Sequence, residues 1–314
     1  MITCHKLINK PIQFKRFTGL SPEQFMILVE GLEPVWSKAE KSRLGRVNPK
    51  RKRKIGAGHP YRLKTIEDKF LLLLMYYRAY LTYDLIGFLF NLHPANVYRL
   101  IVKLSPLVSK VADPKLNQLT KLKRPRRIGT LQELIDTYPE LTEVIIDATE
   151  QPVNKPKGKR RKNSYRSGKR KQHTLKTQMT INKQGRILHL SATTPGGMHD
   201  KTLLLHSKVI DHIPIHSKQF LDRGYEGLSK SYPDHDIRLP FKRYWKQGPT
   251  LSRGKRLANK LRSKRRIKVE HVFGKLKQFQ ILAQRYRTSL TLYHHHFNNI
   301  AAIYNFKNNY GPIT

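Results

Sequence analysis

Acidic residues are scarce in this 314-residue chain: 21 aspartates and glutamates stand against 62 lysines and arginines, a formal charge of +41. That excess goes far beyond what solubility requires and implies a polyanionic partner. Cysteine is represented by Cys4 alone. An internal disulfide framework and a cysteine-rich zinc site are therefore excluded, since each needs several thiols. No apolar run approaches the roughly 18 residues of a membrane span, and no secretory signal is recognisable at the start. The expectation is a soluble cytoplasmic protein, associated with the nucleoid of a bacterium and with no membrane partner. A hydrophobic share of 38% argues for a real core rather than a cationic coat, and the length suits a small domain followed by a larger one.

The first 110 residues read as helical. Ser21, Pro22 and Glu23 open a short helix, with serine as cap and proline at the first helical position. Residues 41–64 change character: the run Lys50 to Lys54 leads into Gly56, Gly58 and Pro60, as expected of a linker lying on phosphate. From Thr65 a cap precedes the apolar face Ile66, Phe70, Leu73 and Leu74, and a second helix follows Thr82 with Leu85, Ile86, Leu89 and Phe90. After a break at Asn91 to His93, Pro94 begins a third helix whose Val97, Leu100, Ile101 and Leu104 recur at i, i+3, i+4 and i+7. This is helix-turn-helix spacing near residues 65–108. Three packed helices need not touch DNA, but the charge favours it. Asn96, Arg99 and Lys103, outside the apolar stripe, are suited to base edges and phosphates.

Residues 111–140 form a basic connector punctuated by Pro114, Pro125 and Pro139. From residue 141 to 314 the expectation is a second, α/β domain. Val144 to Ile146 form a strand running into Asp147, a hairpin spans Thr177 to Ala192, and a helix carries Leu203 to Leu205. Phe220 and Leu221 lead into Asp222 and the turn Arg223 to Tyr225, and a long helix follows the basic segment Lys255 to Arg266 and contains Glu270.

Two-metal phosphoryl transfer needs hard oxygen ligands on rigid elements, which carboxylates on strands and a helix supply. Against so basic a background, Asp147, Asp222 and Glu270 stand out. Each has an ordinary use as well: Asp147 and Asp222 could serve their turns, and Glu270 could pair with a neighbouring arginine. Around Glu270, Val269, Val272, Leu276 and Phe279 form an apolar stripe, with Arg266, Glu270 and Lys277 on the adjacent face. Asp200 is assigned to starting its helix. His294 to His296 are given no site, because consecutive helical side chains diverge.

The ordered fragments Ile145 to Glu150, Tyr165 to Lys176, Asp222 to Tyr225 and Val269 to Phe273 together resemble a bacterial insertion-sequence DDE transposase of the fifth insertion-sequence family, related to Harbinger elements. The resemblance spans roughly residues 20 to 305 and implies an RNase H-like catalytic domain behind a small all-α helix-turn-helix domain. It implies Asp147, Asp222 and Glu270 as ligands of two Mg²⁺ ions, with Mn²⁺ able to substitute. The related signature places an arginine before the glutamate and a lysine after it, landing on Arg266 and Lys277. Its upstream tyrosine is replaced here by Ser263. The implied partners are double-stranded DNA, as terminal inverted repeats and as target, and further copies of the chain in a homodimer or larger assembly. His173 and Lys176 are candidate contacts to the DNA end, and Lys169, Arg170 and Lys171 belong to a charged segment, residues 155–176, expected to be flexible until DNA orders it. A regulator that kept the fold and lost catalysis would account for the helix-turn-helix and the charge, but not for three placed carboxylates.

Overall fold

The computed structural model describes residues 1–45, 60–121, 128–243 and 250–308. The basic run at residues 50–54 and the most basic part of the connector, residues 122–127, lie outside the described residues. In chain order the elements are α1 (Cys4–Ile8), α2 (Pro11–Thr18), α3 (Pro22–Gly45), α4 (Ile66–Ala79), α5 (Tyr83–Phe90), α6 (Pro94–Ala112), α7 (Leu131–Thr137), β1 (Glu143–Pro152), α8 (Lys159–Tyr165), β2 (Thr174–Asn182), β3 (Ile187–Leu190), β4 (Thr194–Pro195), α9 (Asp200–Ser207), β5 (Lys218–Phe220), α10 (Leu228–Ser231), β6 (Ile237–Arg238), α11 (Arg253–Leu276), α12 (Gln280–Ala283) and α13 (Leu290–Lys307). They gather into two compact units. One comprises Met1–Pro114, Lys277–Gln284 and Thr288–Asn308, and the other is built on Lys115–Leu276 with Arg285–Arg287.

In the helical unit, local capping chemistry sets most boundaries. Ser21 and Gln24 form a reciprocal capping box, Gln24 N–H to Ser21 Oγ at 3.3 Å and Ser21 N–H to Gln24 Oε1 at 3.2 Å. The helix they start, α3, runs 24 residues, longer than the short helix expected from sequence. Thr65 and Thr82 each accept a backbone N–H three residues on, opening α4 and α5. Asn91 ends α5 in the left-handed region (φ 52°), a conformation asparagine tolerates better than most residues. Pro94 then starts α6, and α5 and α6 bend by 97° across the break, as in a helix-turn-helix.

The turn depends on Gly87. Leu92 N–H donates to the Gly87 carbonyl at 2.8 Å, and a Cβ at residue 87 would stand 2.5 Å from the Leu92 backbone oxygen. Alanine normally stabilises a helix interior by about 1 kcal/mol over glycine. Here the opposing atom is backbone and cannot swing away, so Gly87→Ala is expected to destabilise by about 1 kcal/mol or more net. A urea midpoint equal to or above that of the wild type would show that the turn relaxes without cost.

From sequence this module closes at residue 110, but the unit also takes in α12 and α13 from the far end of the chain. The reason is burial: α13 hides Leu292, Tyr293, Phe297, Ile300, Ala301, Ala302 and Ile303, and with them several polar side chains that find partners on α4 and α6. Asn299 accepts from Ser109 N–H (3.0 Å) and donates to the Ser105 carbonyl (2.9 Å) and Tyr77 hydroxyl (2.8 Å). His296 Nδ1 lies 3.0 Å from the same hydroxyl, and Asn305 donates to Asp113 at 2.7 Å.

The second unit is a mixed sheet in the order β3-β2-β1-β5-β6, with β4 paired to β2. Antiparallel pairing joins β1, β2 and β3, and parallel pairing joins β1, β5 and β6. Val144, Ile145 and Ile146 are buried together, the continuous apolar run of a central strand covered on both faces. Val144 and Ile146 enter the cluster formed by Leu204 of α9, Leu134 of α7, Leu221 and Tyr225. The basic segment expected ahead of the Glu270 helix is instead part of α11, which buries Val269, Val272, Phe273 and Leu276.

Candidate active site

The sheet register brings two carboxylates together. Ile145 of β1 pairs with Phe220 of β5 in parallel. Two residues further on in both strands come Asp147 and Asp222, beyond the end of β5, where a parallel sheet opens its binding crevice. Asp147 is not at the end of its strand, as the sequence suggests. β1 continues to Pro152 because residues 148–152 keep antiparallel partners on β2. Asp222 begins a turn in which Tyr225 is fully buried.

Burial pushes the half-buried Asp147 carboxyl up to about 6; the Ala148 N–H and the Arg266 charge oppose the rise, and Asp222 and Asp200 reinforce it. The ionised form is thus disfavoured relative to a carboxylate in water, a condition that a bound cation would relieve. Burial, followed by the charges of Asp147, Asp200 and Asp222, raises the Tyr225 hydroxyl well above the usual phenol range. That hydroxyl has no hydrogen-bond partner among the described residues. Hard oxygen donors of this kind fit a divalent cation of the Mg²⁺ or Mn²⁺ type. Among the described residues, no three His, Cys, Asp or Glu side chains are gathered closely enough to hold a metal ion together.

Glu270 is exposed on α11, one turn beyond Arg266. Arg266 is partly buried beside the candidate site: its Nη1 lies 3.4 Å from Asp222 Oδ1, and its Nε is buried with no hydrogen-bond partner among the described residues. Lys277 follows the last residue of α11 and falls in the helical unit, so the helical face expected to carry Arg266, Glu270 and Lys277 ends before Lys277.

Lys176 requires a larger correction. The sequence places it in a flexible cationic loop, yet it sits within β2, 7% exposed, opposite Glu150. Its Nζ donates to Asp200 Oδ1 and to the Met198 carbonyl, both at 2.7 Å, and lies 3.5 Å from Glu150. A buried ammonium is tolerated only with such partners, so it is not available to DNA. The rest of the segment also carries local structure. It forms α8, then a tight loop in which buried Ser167 accepts from Arg170 and Lys171, closed by a bridge between Arg166 and His173. Lys169, Arg170 and Lys171 are exposed at its tip, and His173 is half-buried. In the helical unit, Asn96 and Arg99 are exposed on α6, with Arg99 donating to Asn96 at 2.8 Å. Lys103 is half-buried, 3.2 Å from the Tyr61 hydroxyl and 3.5 Å from Glu40.

Asp200 does start α9, as the sequence indicates, but neither its ion pair with Lys176 nor its electrostatic reach to Asp147 is legible there. Nor is the place of Tyr225. The available signal for Asp200 is its position close behind a glycine pair, where backbone can approach closely.

Comparison with known families agrees with this construction. Residues 146–305 match the DDE superfamily endonucleases, and residues 61–114 match the helix-turn-helix of DDE superfamily endonucleases. The chain belongs to the DDE superfamily endonucleases, with an RNase H-like α/β catalytic domain preceded by a helix-turn-helix region. Nucleases of this superfamily generally use divalent metal ions. Among individual proteins, the chain is similar to the probable transposase for insertion sequence element IS702 of Microchaete diplosiphon, at 29% identity over 300 residues covering 94% of each chain. No solved structure matches the chain. Among the described residues, no single helix is long and apolar enough to cross a membrane.

Proposed function

We propose that this protein is a transposase that binds the ends of its insertion sequence and carries out Mg²⁺-dependent strand cleavage and strand transfer. The observation that carries the reading is the closeness of Asp147 and Asp222, each two residues past the parallel pairing of Ile145 with Phe220 and near enough for their charges to interact, in a chain of the DDE endonuclease family. Asp147, Asp222 and Glu270 would hold the metal. When bound, two such ions supply Lewis-acid charge to the attacking and leaving oxygens of an in-line displacement. The chain's own groups prepare the site. The ladder of β1 with β2 fixes Asp147, Arg266 steadies Asp222 by its ion pair, and Glu270, exposed one turn further along α11, would have to turn its carboxylate toward them to complete the set.

DNA would be held by Asn96, Arg99 and Lys103 on α6, and by Lys169, Arg170 and Lys171 at the tip of their loop. Arg99→Ala is expected to reduce the preference of the full-length protein for terminal-repeat DNA over random duplex. Replacing Lys169, Arg170 and Lys171 together by alanine should flatten the dependence of log affinity on log salt by roughly 0.9 for each phosphate that the protein ceases to engage. An unchanged slope in a binding series on identical DNA would mean that these cations stay in solvent.

The deciding experiment incubates the protein with supercoiled plasmid carrying the genomic sequences that flank this reading frame, in Mg²⁺ or in EDTA, and maps the cut strands. Metal-dependent cuts at the element's ends support the proposal. Specific binding without any cleavage would favour the regulator that kept only the fold.

A further inference from the structure

The ion pair between Lys176 and Asp200 is not accounted for by the three-carboxylate site. An aspartate at the first position of a helix is explained by the helix dipole alone. The dipole does not explain why a lysine is buried beneath it, donating at 2.7 Å to Asp200 Oδ1 and at 2.7 Å to the Met198 carbonyl. With Oδ1 thus held, Oδ2 lies against the turn that follows Asp222: a Cβ on Gly224 would stand 2.8 Å from it. In the same turn, the Tyr225 hydroxyl is fully buried with no hydrogen-bond partner among the described residues, within reach of the charges of Asp147, Asp200 and Asp222. Four carboxylates, Asp147, Glu150, Asp200 and Asp222, are met by two cations, Lys176 and Arg266. Even before Glu270 is counted, an excess of negative charge remains for bound divalent cations to offset.

We infer that Asp200 is a fourth carboxylate of the metal centre, with Lys176 as the positioning residue that clamps one oxygen so that the other faces Asp147 and Asp222. The inference rests on the proposed metal site and adds a ligand-facing group to it. Lys176 binds neither metal nor DNA. It ties β2 to the start of α9 and offsets part of the acid charge, so that the site stays folded when no cation is bound. Gly224 is the companion requirement, because any side chain there would push Asp200 away.

The test is Mn²⁺ binding to the full-length protein by calorimetry, with folding checked by circular dichroism. Asp147→Asn and Asp222→Asn are expected to abolish binding. Asp200→Asn, nearly isosteric, should raise the Kd about tenfold or more. Gly224→Ala, which leaves every charge in place, should also raise it, and it decides the matter alone if Asp200→Asn does not fold. Wild-type affinity in both Asp200→Asn and Gly224→Ala, with binding lost in Asp147→Asn, would overturn the role of Asp200 and leave the proposed function standing. Mn²⁺ binding that survives both Asp147→Asn and Asp222→Asn would remove the site itself.

Discussion

Alanine in place of Asp147, Asp222 or Glu270 is expected to lower strand cleavage at least about a thousandfold, a loss of about 4 kcal/mol of transition-state stabilisation, while leaving affinity for DNA ends nearly unchanged. The two quantities separate because cleavage depends on a few oxygen ligands, whereas affinity depends on many dispersed cations. Glu270→Asp should fail as well, since its carboxylate is carried on a helix and a shorter arm cannot make up the distance. Cleavage and gel-shift assays on the same preparations provide the measurement. A variant that retains more than about a tenth of wild-type cleavage takes its residue out of the triad. Of the three, Glu270 faces the stiffer test, because it is exposed whereas Asp147 and Asp222 both lie two residues past the parallel pairing of Ile145 with Phe220.

The second large effect belongs to the helical unit and to acid. His296 is fully buried beside Tyr77, and burial, assisted by the neighbouring His295, pushes its imidazole down from the ordinary 6.5 to about 3. A depressed histidine pKa means that the folded protein holds the neutral ring while the unfolded chain takes up a proton. The stability is therefore fully present above about pH 6.5 and is lost as pH falls from there toward 3. The loss approaches roughly 1.4 kcal/mol per pH unit, or 2 to 3 kcal/mol by pH 4.5, a large share of a typical folding free energy. His294, also lowered by burial, acts in the same direction. Urea unfolding at pH 7.5, 5.5 and 4.5 should show this decline in the wild type and a shallower one in His296→Phe, whatever the absolute stability of the variant. Parallel declines in the two proteins would place the acid sensitivity elsewhere.

The helix-turn-helix is legible in the sequence because its signals are local. Thr65 and Thr82 are caps, Asn91 takes a left-handed φ, and Pro94 occupies the first helical position, all within a few residues of what they control. Asp147 and Asp222 are conspicuous in the sequence because an acid directly after an apolar run stands out in so basic a chain. Lys176 is hidden by its surroundings. In a run of cations nothing marks the one that turns inward, and β2 is buried at every position, so no alternation betrays its faces. α13 is hidden by distance: His296 and Asn299 look polar in sequence, and the groups that satisfy them lie about 190 to 220 residues earlier. The RNase H-like order of strands comes from the resemblance, and the register that aligns the two aspartates becomes visible only in the sheet.

That separation also dictates an order of events on the ribosome. Tyr77, Ser105 and Asp113 emerge early, but the side chains of His296, Asn299 and Asn305 that satisfy them are made only after the whole sheet has been synthesised. Until then the face of α6 that α13 covers stays open to water, and the apolar burial that Leu292, Phe297, Ile300 and Ile303 supply is missing. A chain cut short by a frameshift or stop codon before α13 would carry every residue of the helix-turn-helix and still lack the means to hold it together. Premature products of the gene would then be expected to unfold rather than to persist as free helix-turn-helix modules.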